Sequence, residues 1–267
     1  MRIGLAIPRV TVLAILYMGV NTIPAAGQEA LLMPSATQPS PTTVLLRQQV
    51  RIYYGGSDSR QVSIPATASM GIAPAHSISV GTMANFSESS ASGLSDASLS
   101  WKWRIHSLDT GPVDTARTAI VTGLQVPSGT DAWTTGSFNP YMGVVHTRIA
   151  GRLGVGMSLE YKLNTGRGAD NDITGTDGSS PATIASSSAF WRIYPEKYTA
   201  STVGAWYAGM EGAGVYSGDG FSVRLGPVLM FESSSWVLEA GWQMYPVNTG
   251  GMVPVSGMVV AGFRWFF

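Results

Sequence analysis

Apolar and polar residues alternate along many short stretches of this chain, and this period of two is the feature that most restricts its fold. The alternation is strict from Leu99 to His106, from Val155 to Asn164 and from Trp236 to Met244. It indicates β-strands with one apolar face, and no segment of convincing length shows the period of a helix. Trp and Tyr occupy many of the apolar positions, at strand ends as well as centres. This distribution fits the aromatic belts of a membrane protein better than the packed core of a sandwich.

The strand-like segments fill the chain from residue 43 to its end. We therefore predict an all-β fold over residues 43–267, a closed antiparallel transmembrane β-barrel of about 12 strands, with a range of about 10–14. Tight connections at Ala150-Gly151 and Ser233-Ser234 alternate with longer ones such as 165–183, as expected when both ends of the barrel face the periplasm. We expect an even number of strands, because lipid would penalise an unpaired strand edge.

The last segment, Val259 to Phe267, has the pattern of a closing barrel strand. Its alternate positions put five apolar side chains on one face, whereas Arg264 lies on the other. Such a strand meets hydrocarbon on its outer side and ends in the aromatic girdle. We expect outer-membrane lipid and, through this strand, the barrel-assembly machinery as partners. A strand of a secreted sandwich is the alternative.

The first residues have the order of an export signal. Arg2 and Arg9 precede an apolar run from Val10 to Val20, and the small residues Ala25, Ala26 and Gly27 follow it. This order predicts a signal peptide at 1–27, which is cleaved on export. Together with the predicted barrel, it implies the outer membrane of a Gram-negative bacterium. Prolines among Ser, Thr and Gln predict a flexible periplasmic lead-in at 28–42.

The composition excludes several classes of function. Removal of the leader takes away two of the 16 basic residues and none of the 16 acidic ones, so the mature chain is slightly acidic. This balance argues against nucleic-acid binding. The chain has no cysteine, which excludes a disulfide scaffold and a thiolate metal site. No pattern calls for a cofactor or a metal. The Asp- and Gly-rich loop 166–178 has a spacing somewhat like a calcium loop, but it lacks the closing Glu.

If the apolar face of each strand points outward, most charged residues of the strands point into the barrel. Ten of the lumen-lining candidates are basic and four are acidic, so the predicted lumen is cationic. A basic wall favours anions. The alternative is that Arg and Glu on neighbouring strands pair and brace the interior. The candidates are Arg47, Arg51, Lys102, Arg104, Arg117, Arg148, Glu160, Lys162, Arg192, Glu211, Arg224, Glu232, Glu239 and Arg264.

Three stretches, in this order and spacing, carry a resemblance to a known family. They are Gly93–Asp96 leading into Trp101–Arg104, then Thr122–Thr130, and then Trp236–Val247 followed by the terminal strand with Gly262–Arg264. Together they resemble the outer-membrane transporter family named after the meta-cleavage pathway of phenol degradation. The resemblance implies an outer-membrane barrel that admits hydrophobic or aromatic small molecules. It brings no set of functional residues to this chain.

The sequence favours a passive channel or transporter for small molecules, either hydrophobic or aromatic compounds or organic anions. Two alternatives stay open. One is a structural or adhesive barrel without transport. The other is an outer-membrane hydrolase that uses His106 and His146, which we expect on the inward face with Ser100 on the same side. No Gly-x-Ser-x-Gly motif accompanies them, so we predict no catalytic residues and no enzyme activity.

Overall fold

The computed structural model describes residues 30–55, 61–88, 92–111, 113–130, 133–165, 180–250 and 255–267. The predicted signal peptide, 1–27, and the Asp- and Gly-rich loop, 166–178, lie outside the described residues. No helix in the described ranges is both long enough and apolar enough to cross a membrane.

The described residues form thirteen β-strands. These are β1 (Val44–Tyr54), β2 (Gln61–Ala73), β3 (His76–Ser87), β4 (Gly93–Leu94), β5 (Ala97–Asp109), β6 (Thr115–Val126), β7 (Asn139–Ala150), β8 (Leu153–Lys162), β9 (Ala182–Tyr194), β10 (Gly204–Ser217), β11 (Gly220–Ser233), β12 (Trp236–Asn248) and β13 (Gly257–Phe266).

Twelve of these strands close into a ring, because each pairs with two antiparallel neighbours. β4 has only two residues and pairs with β3 alone, so it lies outside the ring. β13 closes the barrel against β1, with Arg264 opposite Arg47. Backbone hydrogen bonds between Val44 and Phe267, at 3.2 and 2.9 Å, seal the end of this seam. The predicted closed antiparallel barrel of 12 strands is confirmed.

The two ends of the barrel carry connections of different length. At the end where β1 begins and β13 ends, three of the five connections have two residues, at 74–75, 151–152 and 234–235. The opposite end carries the long connections 127–138 and 163–181. Short turns are typical of the periplasmic side of such barrels, and long loops of the external side. We therefore call the first end the periplasmic end and the other the external end.

The outer face of the ring is apolar, as the alternation predicts. Its residues include Leu46, Met142, Leu159, Trp242 and Trp265, and each of these side chains is more than one third exposed. Aromatic rings cluster on this face. Trp206, Phe231 and Trp236 form a chain of contacts with ring centroids 5.0 and 5.2 Å apart, close to the periplasmic end. Such a surface suits hydrocarbon with an aromatic belt at its edge.

Residues 30–37, which precede β1, lie inside the barrel, and we call them the inserted segment. Residues 30–37 are buried, except for the half-buried Leu32 and Pro34, and Leu31 and Met33 are 1 % and 4 % exposed. This differs from the flexible periplasmic lead-in that the sequence predicts at 28–42. The physical reason is the apolar run Ala30–Met33, which packs against apolar side chains on the inner wall of β9 to β13. Burial of these side chains favours the ordered state over a solvated tail.

Candidate functional site: the barrel lumen

The structure places thirteen of the fourteen lumen-lining candidates on the inner side of the wall, where they are buried or half-buried. Each lies on the strand face opposite the exposed apolar side chains. These residues are Arg47, Arg51, Lys102, Arg104, Arg117, Glu160, Lys162, Arg192, Glu211, Arg224, Glu232, Glu239 and Arg264. These side chains therefore face the interior of the barrel.

Arg148 is the exception, and the prediction for it was wrong. On β7 the inner face carries the buried Val145, Thr147 and Ile149, whereas Arg148 shares the exposed outer face with Val144. Both faces of β7 are apolar here, because Val145 packs against Ala36 of the inserted segment. The rule that the apolar face points outward therefore fails on this strand. Arg148 lies two residues from the strand end, where a long side chain can reach the polar interface.

The two histidines that the hydrolase alternative requires also point outward. His146 is on the outer face of β7, and its Nδ1 lies 3.0 Å from Oγ1 of Thr118 on β6. A bulge in the pairing of β5 with β6 lies between Arg104 and His106, and it brings His106 opposite Thr118. One extra residue turns the following side chains to the other face. The predicted inward pair of histidines is therefore not in the lumen.

A buried ionic cluster holds the start of the inserted segment. Glu239, with a fully buried side chain, accepts hydrogen bonds from Arg264, from Arg47 at 3.0 and 3.1 Å, and from Gln49 at 2.8 Å. The same three donors also reach backbone carbonyls of the segment. Arg47 and Arg264 each donate to the Ala30 oxygen at 3.0 Å, and Gln49 donates to the Leu31 oxygen at 2.7 Å. The cluster therefore joins β1, β12, β13 and the segment.

Two further charged side chains of the wall bind the segment through its backbone. The carboxylate of Glu211 accepts hydrogen bonds from the N–H groups of Leu31 and, at 2.9 Å, Leu32. On the other side of the lumen, Nζ of Lys102 donates to the carbonyls of Ser35 at 2.7 Å and Thr37 at 3.0 Å. Buried backbone groups need such partners, since an unmet hydrogen bond in a water-poor interior is costly. The segment is therefore anchored at both of its ends.

Glycines in the wall make room for this segment. A Cβ on Gly241 would lie 2.6 Å from Cδ2 of Leu31, and a Cβ on Gly156 would lie 3.2 Å from Cε of Met33. Where the chain crosses the rim, a Cβ on Gly71 would lie 2.2 Å from the Ser40 oxygen. Larger residues at these positions would push the segment away from the wall. The wall therefore fits the chain closely at these three points.

A cavity of about 310 Å³ remains in the external half of the lumen. Arg51, Lys162 and Glu160 contribute charged groups to its wall, and Trp133 and Tyr141 contribute aromatic rings. The cavity therefore combines charge of both signs with apolar surface. This mixture suits a small molecule with a polar or charged group on an apolar body.

Two segments at the external end, residues 93–96 and the described residues of 128–137, contribute to the wall of this cavity, and we call them the external segments. Asp96 of the first segment binds the second. Its carboxylate accepts hydrogen bonds from the backbone N–H groups of Gly129 and Thr135, each at 2.9 Å, and from the Thr135 hydroxyl at 2.7 Å. Burial raises the pKa of Asp96, but hydrogen bonds from Thr134, Thr135 and Gly129 outweigh burial and hold this pKa below its usual value. The carboxylate is therefore ionised at neutral pH, with its hydrogen-bonding capacity spent on the two segments.

Several remaining basic residues bind groups of the wall at the periplasmic end. Arg117 lies 3.5 Å from the carboxylate of Asp109. Arg104 donates to the Pro74 carbonyl in a periplasmic turn. The Arg192 guanidinium stacks 4.2 Å from the ring centre of Tyr198, and it donates to the Glu196 carbonyl at 3.2 Å. These contacts favour the bracing role for this part of the basic lumen.

The sequence reasoning missed the inserted segment, the inward-folded external segments and the apolar part of the inner wall. The apolar inner residues include Phe190, Tyr207, Met230 and Val260, each at most 2 % exposed. The one available signal was the run Ala30–Met33, which is too apolar for a solvated linker. Asp96 and Trp133 carry no signal of this kind, because their roles depend on loop conformation.

Comparisons with known proteins agree with this architecture. No protein-family model matches the chain, and no curated protein matches it. Among solved structures, an outer-membrane channel from Pseudomonas putida F1 superposes with a TM-score of 0.57 at 12 % identity, over 90 % of this chain and 100 % of that one. The NanC porin superposes with a TM-score of 0.51 at 11 % identity, over 83 % of this chain and 98 % of that one.

The chain therefore has the fold of a porin-like outer-membrane β-barrel. At such low identity the two structures support the fold and leave the solute undefined. Membership of the family named after the phenol meta-cleavage pathway stays a prediction.

Proposed function

We propose that this protein is a passive channel for small molecules in the bacterial outer membrane, with a lumen narrowed by residues 30–37. The observation that carries the proposal is the cavity of about 310 Å³ inside a closed barrel whose outer face is apolar. A structural barrel would need no internal cavity lined by charged and aromatic groups. A barrel of twelve strands is wider than one of eight, which side chains alone can fill.

The inserted segment divides the lumen. Its apolar residues cover the inner wall of β9 to β13, and the cavity lies mainly against β1 to β9. Solutes therefore pass along this second side, past Arg51, Tyr141 and Lys162. The mixed lining favours small organic anions and aromatic compounds over large sugars. Export with cleavage after Gly27, and assembly through the C-terminal strand, complete the proposal.

Liposome swelling and planar-bilayer recording test this function with the full-length mature protein. We expect small solutes to enter, and we expect deletion of residues 30–38 to raise the single-channel conductance, because the segment no longer occupies the side of the lumen next to β9 to β13. Replacement of Arg148 with glutamine is the matched control. It removes one arginine from the outer wall, so conductance should not change.

Absence of conductance and solute entry for both the intact protein and the deletion variant would refute the channel. The protein would then be a structural or adhesive barrel. Unchanged conductance after the deletion, with the intact protein active, would refute the narrowing role of the segment.

A further inference from the structure

Arg148 is a charged side chain on an outer face that is mostly apolar. The other Asp, Glu, Lys and Arg residues of the described strands share the inner face. Arg148 is exposed, and it forms no hydrogen bond and no ion pair with the residues that the structure describes. A charge on the lipid-facing side is costly unless a polar partner meets it at the membrane interface. The position of Arg148 therefore indicates a partner outside the protein.

Three polar side chains of the same outer face lie beside Arg148. His146 precedes it by two residues on β7, which corresponds to about 7 Å along the strand. Thr118 of β6 lies opposite His146, and His106 of β5 lies opposite Thr118. The spacing of neighbouring strands therefore puts the two histidines about 10 Å apart, on either side of Thr118. We call these four residues the outer polar patch.

One imidazole of the outer polar patch is held by a hydrogen bond within the wall. Nδ1 of His146 lies 3.0 Å from Oγ1 of Thr118. With the hydroxyl as the donor, the proton of the ring is on Nε2, and this N–H can donate to an acceptor outside the wall. His106 is exposed and has no hydrogen-bond partner among the described residues. The patch therefore presents donors to its surroundings.

The outer polar patch lies near the periplasmic edge of the apolar outer face. β7 ends at Ala150, so Arg148 is about 7 Å along the strand from this end. In the turn that follows, the Arg152 guanidinium lies 5.3 Å from the ring centre of Trp191, which is exposed on the outer face. Tryptophan and arginine side chains together are typical of the level at which lipid headgroups begin. Phosphates of the periplasmic leaflet therefore come within reach of the patch.

The carboxylates in this part of the periplasmic end are bound by other groups of the protein. Asp114 accepts a hydrogen bond from the Gly151 N–H at 2.6 Å. Asp109 lies 3.5 Å from Arg117 on the inner face of the wall. The positive charge of Arg148 is therefore left for an external anion. A headgroup with an ammonium of its own, as in phosphatidylethanolamine, would gain less here, because its phosphate is already partly balanced.

We propose that the outer polar patch binds the phosphate of an anionic phospholipid, phosphatidylglycerol, in the periplasmic leaflet. Arg148 donates two parallel hydrogen bonds to the phosphate, which is the strong geometry for a guanidinium. Nε2 of His146 donates a third, and His106 bounds the other side of the headgroup. The acyl chains lie along the apolar outer face toward the external end, where Ile120 and Val144 are paired. This site does not depend on conduction through the lumen.

Native mass spectrometry of the full-length mature protein in detergent tests the site. The protein is mixed with equal amounts of phosphatidylglycerol and phosphatidylethanolamine that carry the same acyl chains. We expect phosphatidylglycerol to predominate in the protein that retains one lipid. Arg148→Gln should lower this preference about five- to tenfold, because a basic group at the membrane surface is lost. His146→Phe, which keeps an aromatic ring, should lower it about threefold through the loss of one donor.

Lys197→Gln is the matched control. It removes one exposed positive charge from the periplasmic connection between β9 and β10, away from the patch, so the preference should not change. Arg148→Lys keeps the charge without the planar donor edge and should retain part of the preference. The heat-modifiable gel shift of each variant shows that its barrel is folded. Equal retention of the two lipids by the natural protein, or equal loss of preference in Arg148→Gln and Lys197→Gln, would overturn the proposal.

Discussion

Glu239 is the single anion shared by two arginines, and its replacement by glutamine should destabilise the barrel strongly. The natural carboxylate has no exposed surface and contacts Arg264, whose side chain is 1 % exposed, and Arg47, whose side chain is 23 % exposed. Glutamine keeps the size of the side chain but removes its charge. Arg264 then stays buried without the negative charge of its partner, while its Nη2 still donates to the Ala30 carbonyl.

The size of the effect follows from this burial. Removal of one partner from a buried ion pair costs about 3–5 kcal/mol, because the remaining charge is buried without compensation. Arg47 adds less to this loss, since part of its side chain meets solvent and water screens it. We therefore expect the free energy of unfolding to fall by about 3–5 kcal/mol in total.

Urea titration of the barrel refolded into phospholipid vesicles, followed by tryptophan fluorescence, measures this loss. The double variant Glu239→Gln with Arg264→Met should recover most of the stability, because it no longer buries an unpaired cation. Glu196→Gln is the exposed control. Its carboxylate is 83 % exposed beside Arg152, so its loss should cost less than about 1 kcal/mol. A loss for Glu239→Gln no larger than that of the control, or no recovery in the double variant, would refute the reasoning.

Three further predictions concern the inserted segment and the external segments. Glu211→Gln should speed proteolysis of the segment in limited digestion, because the two carboxylate oxygens accept the Leu31 and Leu32 N–H groups and the amide NH₂ of glutamine cannot accept. Gly156→Leu should displace Met33 and raise single-channel conductance, whereas Gly214→Ala, whose Cβ would lie in ordinary contact 3.6 Å from the Phe221 ring, should leave it unchanged. Asp96 has a lowered pKa, so its contacts are complete above the ordinary value of 3.8 and are lost as pH falls through the lower value of the folded protein. We therefore expect the external segments to loosen, and the single-channel conductance of the natural protein to fluctuate, only below pH 3.8. Asp96→Asn should show the same fluctuation already at pH 7 in planar-bilayer recording.

The wall of the barrel could be predicted from the sequence because lipid and water impose opposite demands on alternate residues. Trp242 and Gln243 are neighbours in the chain, and they are 44 % and 0 % exposed. The same argument placed Arg51, Glu211 and Arg264 correctly with respect to the wall. It failed at Arg148, because inner and outer residues of β7 are both apolar. It failed at His106 because a one-residue bulge leaves no mark in the alternation itself.

The inserted segment could not be predicted from alternation because its position depends on long-range packing. Lys102 lies 65 residues along the chain from Thr37, and Glu211 lies 180 residues from Leu31. Its partners therefore lie on strands that are far from it in the sequence. Proline and serine in 34–41 gave a solvated tail as the local expectation. The apolar Ala30–Met33 run, which contradicts that expectation, becomes informative only when an apolar inner wall is known to exist.

The apolar inner wall favours a lumen that stays covered by the inserted segment, and therefore narrow. Phe190, Tyr207, Met230 and Val260 would be costly to expose to water, and Leu31 and Met33 of the segment cover them. The segment is therefore the missing part of a hydrophobic core that lies within the barrel. Its removal would leave apolar surface facing water as well as a wider passage. Loss of the segment is therefore opposed by exposure of these apolar side chains to water, and we predict that the inserted segment limits the free cross-section of this barrel.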